Sequence, residues 1–261
     1  MAVNLKRTII DSKTRLRRSL GIRRFSPQVS WLVESPERRL SSRTILFHHQ
    51  DPESFPPDSF VGTGPVRYDL VLYSSDGRPV LKRSETIDRF QTKVYETSDL
   101  LREAGVPAPF HGQIFINLHQ FDWGSLRAYI QWYNENAITS THERRYSHLG
   151  ILKHFYTVPR ALCHLHKDLE IYVAMVNSDP KQRADLKFIL QTDDGITNES
   201  TTRSVAPNGS LFVSLYDLFP NCVVILKEGL GSIYLANTDV SLTIYYFTYN
   251  KERGSWQTQH I

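Results

Sequence analysis

The chain is poor in sulfur: its 261 residues include two cysteines and two methionines. Cys163 and Cys222 allow at most one disulfide, which is not the framework of a small stapled secreted domain. The ordinary expectation is two reduced thiols packed as small apolar groups. Long apolar runs are also missing. No window approaches the roughly 20 apolar residues that a membrane-spanning helix requires. The start, Met1-Ala2-Val3-Asn4-Leu5-Lys6-Arg7, runs into further basic residues without the apolar stretch of a signal peptide. A cytoplasmic protein with no membrane span of its own is the expectation.

Catalytic signatures are absent as well. There is no Gly-x-Ser-x-Gly elbow, and Cys163 neighbours His164 only along a strand, where adjacent side chains point to opposite faces. Gly62-Thr63-Gly64-Pro65 lacks the lysine of a phosphate loop. No pair of carboxylates stands out for glycoside hydrolysis. The ten histidines raise the question of a metal, with His48-His49, His111, His119 and His164-Leu165-His166 as candidates. A His-x-His on a strand points both imidazoles to one face, a workable zinc geometry, but no third ligand follows at a diagnostic spacing. Arg43 to Asp51 also lines up with Arg160 to Asp168, which places His48-His49 beside the second histidine group. The reading is no metal, no cofactor and no enzyme.

What the chain does contain is an internal repeat, in which residues 66–134 recur at about 184–250. Leu70-Val71-Leu72 before Asp76-Gly77 returns as Phe188-Ile189-Leu190 before Asp194-Gly195, and Ser98-Asp99-Leu100-Leu101 returns as Tyr216-Asp217-Leu218-Phe219, both at an offset of 118. Gly112-Gln113-Ile114-Phe115 faces Gly231-Ser232-Ile233-Tyr234 at 119, and Tyr133-Asn134 faces Tyr249-Asn250 at 116. One register with small drifts over so many positions predicts two copies of one unit, each large enough for its own core. Tyr and Phe, thirteen of each, suit strands.

The elements expected are short strands divided by Gly, Pro, Asn and Asp turns. Arg43 to His48, Tyr68 to Tyr73, Gln113 to Leu118 and Ser125 to Tyr133 read as strands of the first copy. Glu170 to Val176, Ala184 to Leu190, Ser210 to Leu215, Gly231 to Leu235 and Val240 to Tyr249 read as strands of the second. Asp76-Gly77 and Asp194-Gly195 are hairpin turns, because glycine adopts positive φ. Residues 26–42, with Pro27 and Pro36, read as irregular. With no convincing helix between strands, the fold class is mainly β: two tandem β-sandwich (or small barrel) domains from an internal duplication, preceded by a basic N-terminal helical arm. The divisions are residues 1–40 for the arm and linker, 41–136 for the first repeat, 137–158 for a connector and 159–261 for the second repeat.

Charge is uneven. Residues 1–39 hold ten Lys or Arg against three acids, a net of +7, which leaves −3 for the rest of a chain whose total is +4. Leu5, Ile9, Leu16 and Leu20 share one face of a helix over residues 3–20 that ends near Gly21, and basic side chains occupy the others. Three readings are open for this arm: a solvated tail, an anchor on an anionic membrane or acidic protein, and a nucleic-acid contact. The acidic body offers no continuing basic groove, and the run has little aromatic interleaving, so nucleic acid is disfavoured.

The second copy's order resembles the small cytosolic β-sandwich of the sensory rhodopsin transducer family. It has a strand ending in Asn177-Ser178-Asp179, a strand before Asp193-Asp194, Val205-Ala206-Pro207 leading to Leu215-Tyr216-Asp217-Leu218, and a closing strand Val240 to Tyr249. The resemblance implies docking against a membrane photoreceptor, with sugar-like ligand binding as a fold-level possibility.

The function expected is that of a non-enzymatic accessory or scaffold subunit. Its partner would be a membrane-associated protein assembly at the inner face of a membrane. Lys6, Arg7, Lys13, Arg15, Arg17, Arg18, Arg23 and Arg24 would contact the anionic surface, and Leu5, Ile9, Leu16 and Leu20 would form the apolar docking face. The alternative is a carbohydrate or small-ligand binding module with its site between the repeats. Aromatics on both faces of the closing strands, with Trp123, Trp132 and Tyr245 as stacking candidates, would line it, unless they pack between the copies.

Overall fold

The computed structural model describes residues 28–48, 65–119, 126–142, 160–195, 198–227, 229–236 and 242–259. The arm's basic and apolar residues and Trp123 lie outside them. The first half comprises β1 (Gln28–Ser35), β2 (Leu40–His48), β3 (Val66–Ser74), β4 (Pro79–Ile87), β5 (Thr92–Glu96), α1 (Thr97–Ala104), β6 (Phe110–Leu118), β7 (Leu126–Tyr133) and β8 (Ile138–His142). The second comprises β9 (Arg160–His164), β10 (Leu169–Asn177), β11 (Ala184–Thr192), β12 (Asn198–Val205), β13 (Ser210–Ser214), α2 (Leu215–Leu218), α3 (Cys222–Leu226), β14 (Leu230–Ala236), β15 (Leu242–Asn250) and β16 (Ser255–Gln259). The protein is mainly β, with antiparallel sheets and few helices.

In the first half β4-β3-β6-β1 and β5-β2-β7-β8 form two arms of one sheet, joined where β1 meets β2 at Glu34↔Ser41 and Ser35↔Leu40. In the second half β12-β11-β14-β9 and β13-β10-β15-β16 are separate four-stranded sheets, and β9 and β10 meet only near His166↔Leu169. Taken in chain order, the pairings of the two halves are the same. The Gly77 and Gly195 turns correspond: Gly77 (φ +85°) donates its N–H to Ser74 at 2.9 Å, and Gly195 (φ +73°) to Thr192 at 3.0 Å.

Burial follows the period of two. On β2, Leu40, Ser42, Thr44, Leu46 and His48 point inward, and Ser41, Arg43, Ile45 and Phe47 point outward. Tyr68, Leu70 and Leu72 on β3, Ile114 and Ile116 on β6 and Ile130 on β7 fill the first core. Val173, Met175, Leu186, Phe188, Leu190, Ile233 and Tyr246 fill the second. Both cysteines sit in that second core as free thiols, and burial pushes Cys163 up to about 12.

Three expectations need correction. Residues 28–35 are a strand and not irregular: β1 pairs with β6 from Gln28↔Ile116 to Glu34↔Phe110, which satisfies its backbone, and nearly all of it is buried. Pro36 merely ends it, opening a 3₁₀ turn (Pro36–Arg38), so the first core starts ahead of Ser41. Second, a helix does intervene. α1 buries Leu100 and Leu101 and ends on Gly105 in the left-handed region, with Gly105 N–H to Arg102 and Val106 N–H to Leu101. Its counterpart α2 is capped by Ser214, whose Oγ accepts from the Asp217 N–H at 3.0 Å and donates to the Asp217 carboxylate at 2.6 Å. Third, β2 corresponds to β10 and not to β9, so the alignment of His48-His49 with His164-Leu165-His166 fails. Seventeen residues separate β2 from β3 and six separate β10 from β11, and this length difference displaces the register.

Candidate functional site

Each half has two outward sheet faces, and one from each half is used to join them. In the second half, Tyr172, Ala174 and Val176 (β10), Phe212 (β13), Tyr245 and Phe247 (β15) and Trp256 (β16) point away from their own core and toward the first half. They meet the face of β1 and β6. Trp31 lies with its ring centroid 4.8 Å from Phe212 and 5.3 Å from Phe247, and Trp132 packs edge-on against Tyr245 at 4.9 Å and Phe247 at 5.0 Å. Arg38 covers the Tyr172 and Phe212 rings at 5.3 and 5.0 Å.

Polar contacts fix the register of this joint. Gln113 Nε2 donates to the Asn177 carbonyl at 3.0 Å, the Trp256 indole N–H to the Arg38 carbonyl at 3.2 Å, and the Ser210 N–H to the Ser75 carbonyl at 2.9 Å. His111 Nδ1 and Ser210 Oγ lie 3.0 Å apart. Burial, with the Arg38 charge beside it, lowers the His111 imidazole to about 4. Trp132 and Tyr245, expected as ligand-stacking rings, are both buried in this contact, which leaves no face of either for a sugar.

The first half carries the structural counterpart of the covered face on its β5-β2-β7-β8 arm. The register pairs Ile45 with Val94 on one side and Tyr129 on the other, as it pairs Ala174 with Phe212 and Tyr245. Likewise Ile138 stands opposite Tyr133 as Trp256 stands opposite Tyr249. This apolar row is not covered: Val94 is 51% exposed, Ile138 61% and Tyr129 36%, and Ile45 and Phe47 are half-buried. Phe47 and Tyr129 stack at 5.1 Å. A polar row flanks them, in which Arg43 Nε donates to Gln131 at 2.7 Å, Arg43 pairs with Glu96 at 3.4 Å, and the Tyr133 hydroxyl donates to Glu96 at 2.6 Å. An apolar centre with a satisfied polar rim has the composition of a protein-binding surface.

The sequence reading missed Ile45, Val94 and Ile138 as site residues, and it took Tyr129 only as one of the closing-strand aromatics. The offset of 118 does set Val94 against Phe212 and Ile138 against Trp256, but only the structure shows that Phe212 and Trp256 lie in a contact.

A second concavity lies where the edge strands β8 and β16 come together. It is an open cleft of about 540 Å³ lined by Asn136, Thr139, Arg253, Trp256, Gln257 and Thr258. Asn134 Nδ2 donates to the Gly254 carbonyl at 2.6 Å, and the Thr139 and Thr258 hydroxyls meet at 2.6 Å across it.

The densest group of ionisable side chains belongs to the first half alone. Glu85 accepts from Tyr68 at 3.1 Å, Tyr95 at 2.9 Å and Lys93 at 2.6 Å, pairs with Arg83 at 2.6 Å, and the two tyrosine hydroxyls also touch. Desolvation acts to raise Glu85, but these donors hold it below its ordinary value. Burial raises both tyrosines, so neither is poised to lose a proton. By register the second half has Leu186, Arg203 and Val213 in place of Tyr68, Glu85 and Tyr95. An apolar pair does the same packing there, which marks the cluster as a structural network. Glu85→Ala should lower stability by about 1–2 kcal/mol, because it strands two buried hydroxyls and a pair of cations; urea titration against wild type measures it.

Among the described residues no group of three or more His, Cys, Asp or Glu could hold a metal ion. The His164 and His166 rings do lie near each other, 6.2 Å between centroids, and His166 contacts Asp168 at 3.4 Å. No helix of the described residues is long and apolar enough to cross a membrane. Comparison of the sequence with protein-family models and with curated proteins, and of the fold with solved structures, finds no match.

Proposed function

We propose that the chain is a non-enzymatic accessory or scaffold subunit, built by duplication of one β-sandwich, that docks on a membrane-associated protein assembly. The observation that carries this reading is the exposed apolar row Val94, Ile45, Tyr129 and Ile138, whose counterpart in the second half is a binding face already in use. The correspondence of strand order and turns supports the duplication. The basic arm supplies the electrostatic half of the docking, with Lys6, Arg7, Lys13, Arg15, Arg17, Arg18, Arg23 and Arg24 facing an anionic surface and Leu5, Ile9, Leu16 and Leu20 in apolar contact. Placement at the inner face of a membrane follows from the arm and from the resemblance of the second half to the sensory rhodopsin transducer sandwich.

Co-sedimentation with native membranes across a salt series tests the reading. Charge capture fades as the Debye length falls from about 10 Å at 0.1 M to about 3 Å at 1 M. Arg15→Glu, Arg17→Glu and Arg18→Glu together should release the protein at moderate salt while its unfolding transition stays unchanged. Equal partitioning of wild type and triple variant to the soluble fraction at low salt would sink it.

A second reading, a small-ligand module, is favoured by one observation: the β8–β16 cleft lies between the halves and is lined by amide, hydroxyl and guanidinium groups beside Ala137, Ile138 and Trp256. Carbohydrate hydroxyls match such a lining.

A further inference from the structure

The joint between the two halves is heterologous. The first half contributes the outer face of β4-β3-β6-β1 together with the inward-pointing Trp132 of β7, and the second contributes the outer face of β13-β10-β15-β16. Under the correspondence of the halves these are different faces of the same unit. Each half therefore keeps the face that the other has used. The first keeps β5-β2-β7-β8, with Val94, Ile45, Tyr129 and Ile138. The second keeps β12-β11-β14-β9, where Leu162 and Leu230 stand out. Such a contact does not close on itself; repeated, it builds an open chain of units.

We infer that the face carrying Val94 and Ile45 receives the β12-β11-β14-β9 face of a second copy of this protein, so that molecules associate head to tail by the operation that already joins the halves. This rests on the docking reading of that surface and names its occupant. Three observations converge on a second copy. The Val94–Ile45–Tyr129 row has the register of Phe212–Ala174–Tyr245, which is the receiving row of the internal joint. The donating face of that joint has its own counterpart in the second half: Gly231 pairs with Cys163 as Gly112 pairs with Leu32, which sets Leu230 at the place of His111 and Leu162 at the place of Trp31. His111 and Trp31 are two of the side chains that enter the internal joint. Leu230 is 54% exposed, an apolar side chain where the joint needs a contact.

Charge also permits the fit. The receiving face presents the Arg43–Glu96 pair, and the donating face presents Asp185 and Lys187, exposed on β11. Opposite charges are available on each side. The donating face is less aromatic than its counterpart, so the contact between molecules should be weaker than the contact between halves, and its extent should depend on concentration.

Sedimentation velocity on the full chain, from low to high micromolar concentration, reads the assembly directly. The weight-average mass should climb past that of two chains without a plateau. Val94→Glu and Leu230→Glu each change an exposed residue, and each should leave a monomer, because each removes one of the two faces. An equimolar mixture of the two variants should form a complex of two chains and stop there, since one good receiving face and one good donating face remain between them. No symmetric contact gives that pattern.

A wild-type protein that stays monomeric throughout, or a Leu230→Glu variant that assembles like wild type, overturns the inference. So does a photo-crosslinker at residue 94 that links only to residues of its own chain. The membrane experiment remains separate: if the protein stays monomeric but Val94→Glu still weakens membrane co-sedimentation, the docking reading stands and the second copy falls.

Discussion

Gly77→Ala should lower stability by roughly 3 kcal/mol and Gly195→Ala by roughly 1 kcal/mol, although the two glycines occupy corresponding turns, between β3 and β4 and between β11 and β12. Both have positive φ, +85° and +73°, so an alanine at either site carries the left-handed penalty common to both. The difference lies in what surrounds them. A Cβ on Gly77 would fall 2.0 Å from the Pro207 carbonyl oxygen, whereas one on Gly195 would meet only the Gln191 side-chain amide at 3.5 Å. Pro207 belongs to the β12–β13 loop of the second half, and Ser75 in the Gly77 turn accepts the Ser210 N–H. Alanine at 77 must therefore push apart two backbones at the joint, while alanine at 195 strains only its own hairpin. Chemical denaturation of the two variants side by side measures this. Equal midpoints would mean that the Gly77 turn is not pressed against the second half. A lost joint with an intact second core should also show as a broadened or two-step transition.

This contrast illustrates how far the sequence could be read. Glycine at 77 and 195 is legible, because Asp-Gly between β-forming runs has few other uses. The press of Pro207 on one of them is not, because it depends on how the halves stack. The strands that the sequence shows best are those with clear apolar alternation or runs, β3, β6, β11 and β15. β4, β12 and β16 escape notice since their alternation is polar against half-buried, as in Asn198–Val205, where only Val205 is fully buried. β1 escapes for the opposite reason. Both its faces are covered, one by its own core and one by the second half, so its residues show no period of two.

The same logic accounts for the aromatics. Their presence on both faces of β15 is visible in the sequence, and so is the choice between ligand stacking and packing between copies. The structure decides for packing, at Trp132 and Tyr245, because the second half must cover one outward face to join the first. The equivalent row at Val94, Ile45 and Tyr129 is smaller and mixed with Arg43, Glu96 and Gln131, which hides it from a search for aromatic clusters. It becomes visible only when the register of the joint is carried back onto the first half.

Acid should loosen the joint before it loosens either core. His111 stands at its centre, within 3.0 Å of Ser210 Oγ and with its ring beside Phe212 at 6.3 Å. Burial first, and the neighbouring Arg38 charge second, hold it at about 4, well below its ordinary value of 6.5. In the native protein the imidazole is therefore neutral near pH 5, whereas in the unfolded chain it takes up a proton below about 6.5. The unfolded state binds more protons over that interval, so stability falls as pH drops from about 6.5 toward 4 and is regained on neutralisation. The full shift corresponds to at most about 3 kcal/mol, and about 2 kcal/mol of it should appear between pH 7 and 5, less whatever solvent access relieves. Asp69 and Glu85, whose carboxylates are held below their ordinary values by their partners, contribute losses only at lower pH, whereas Glu34, whose carboxyl is raised by burial, takes up its proton earlier in the native protein and acts in the opposite sense. His111→Gln keeps an amide near Ser210 but does not titrate. Its urea midpoint should be flat from pH 7 to 5 where that of wild type declines. Parallel declines in the two proteins would show that the proton is taken up elsewhere and that the joint tolerates a charged residue 111.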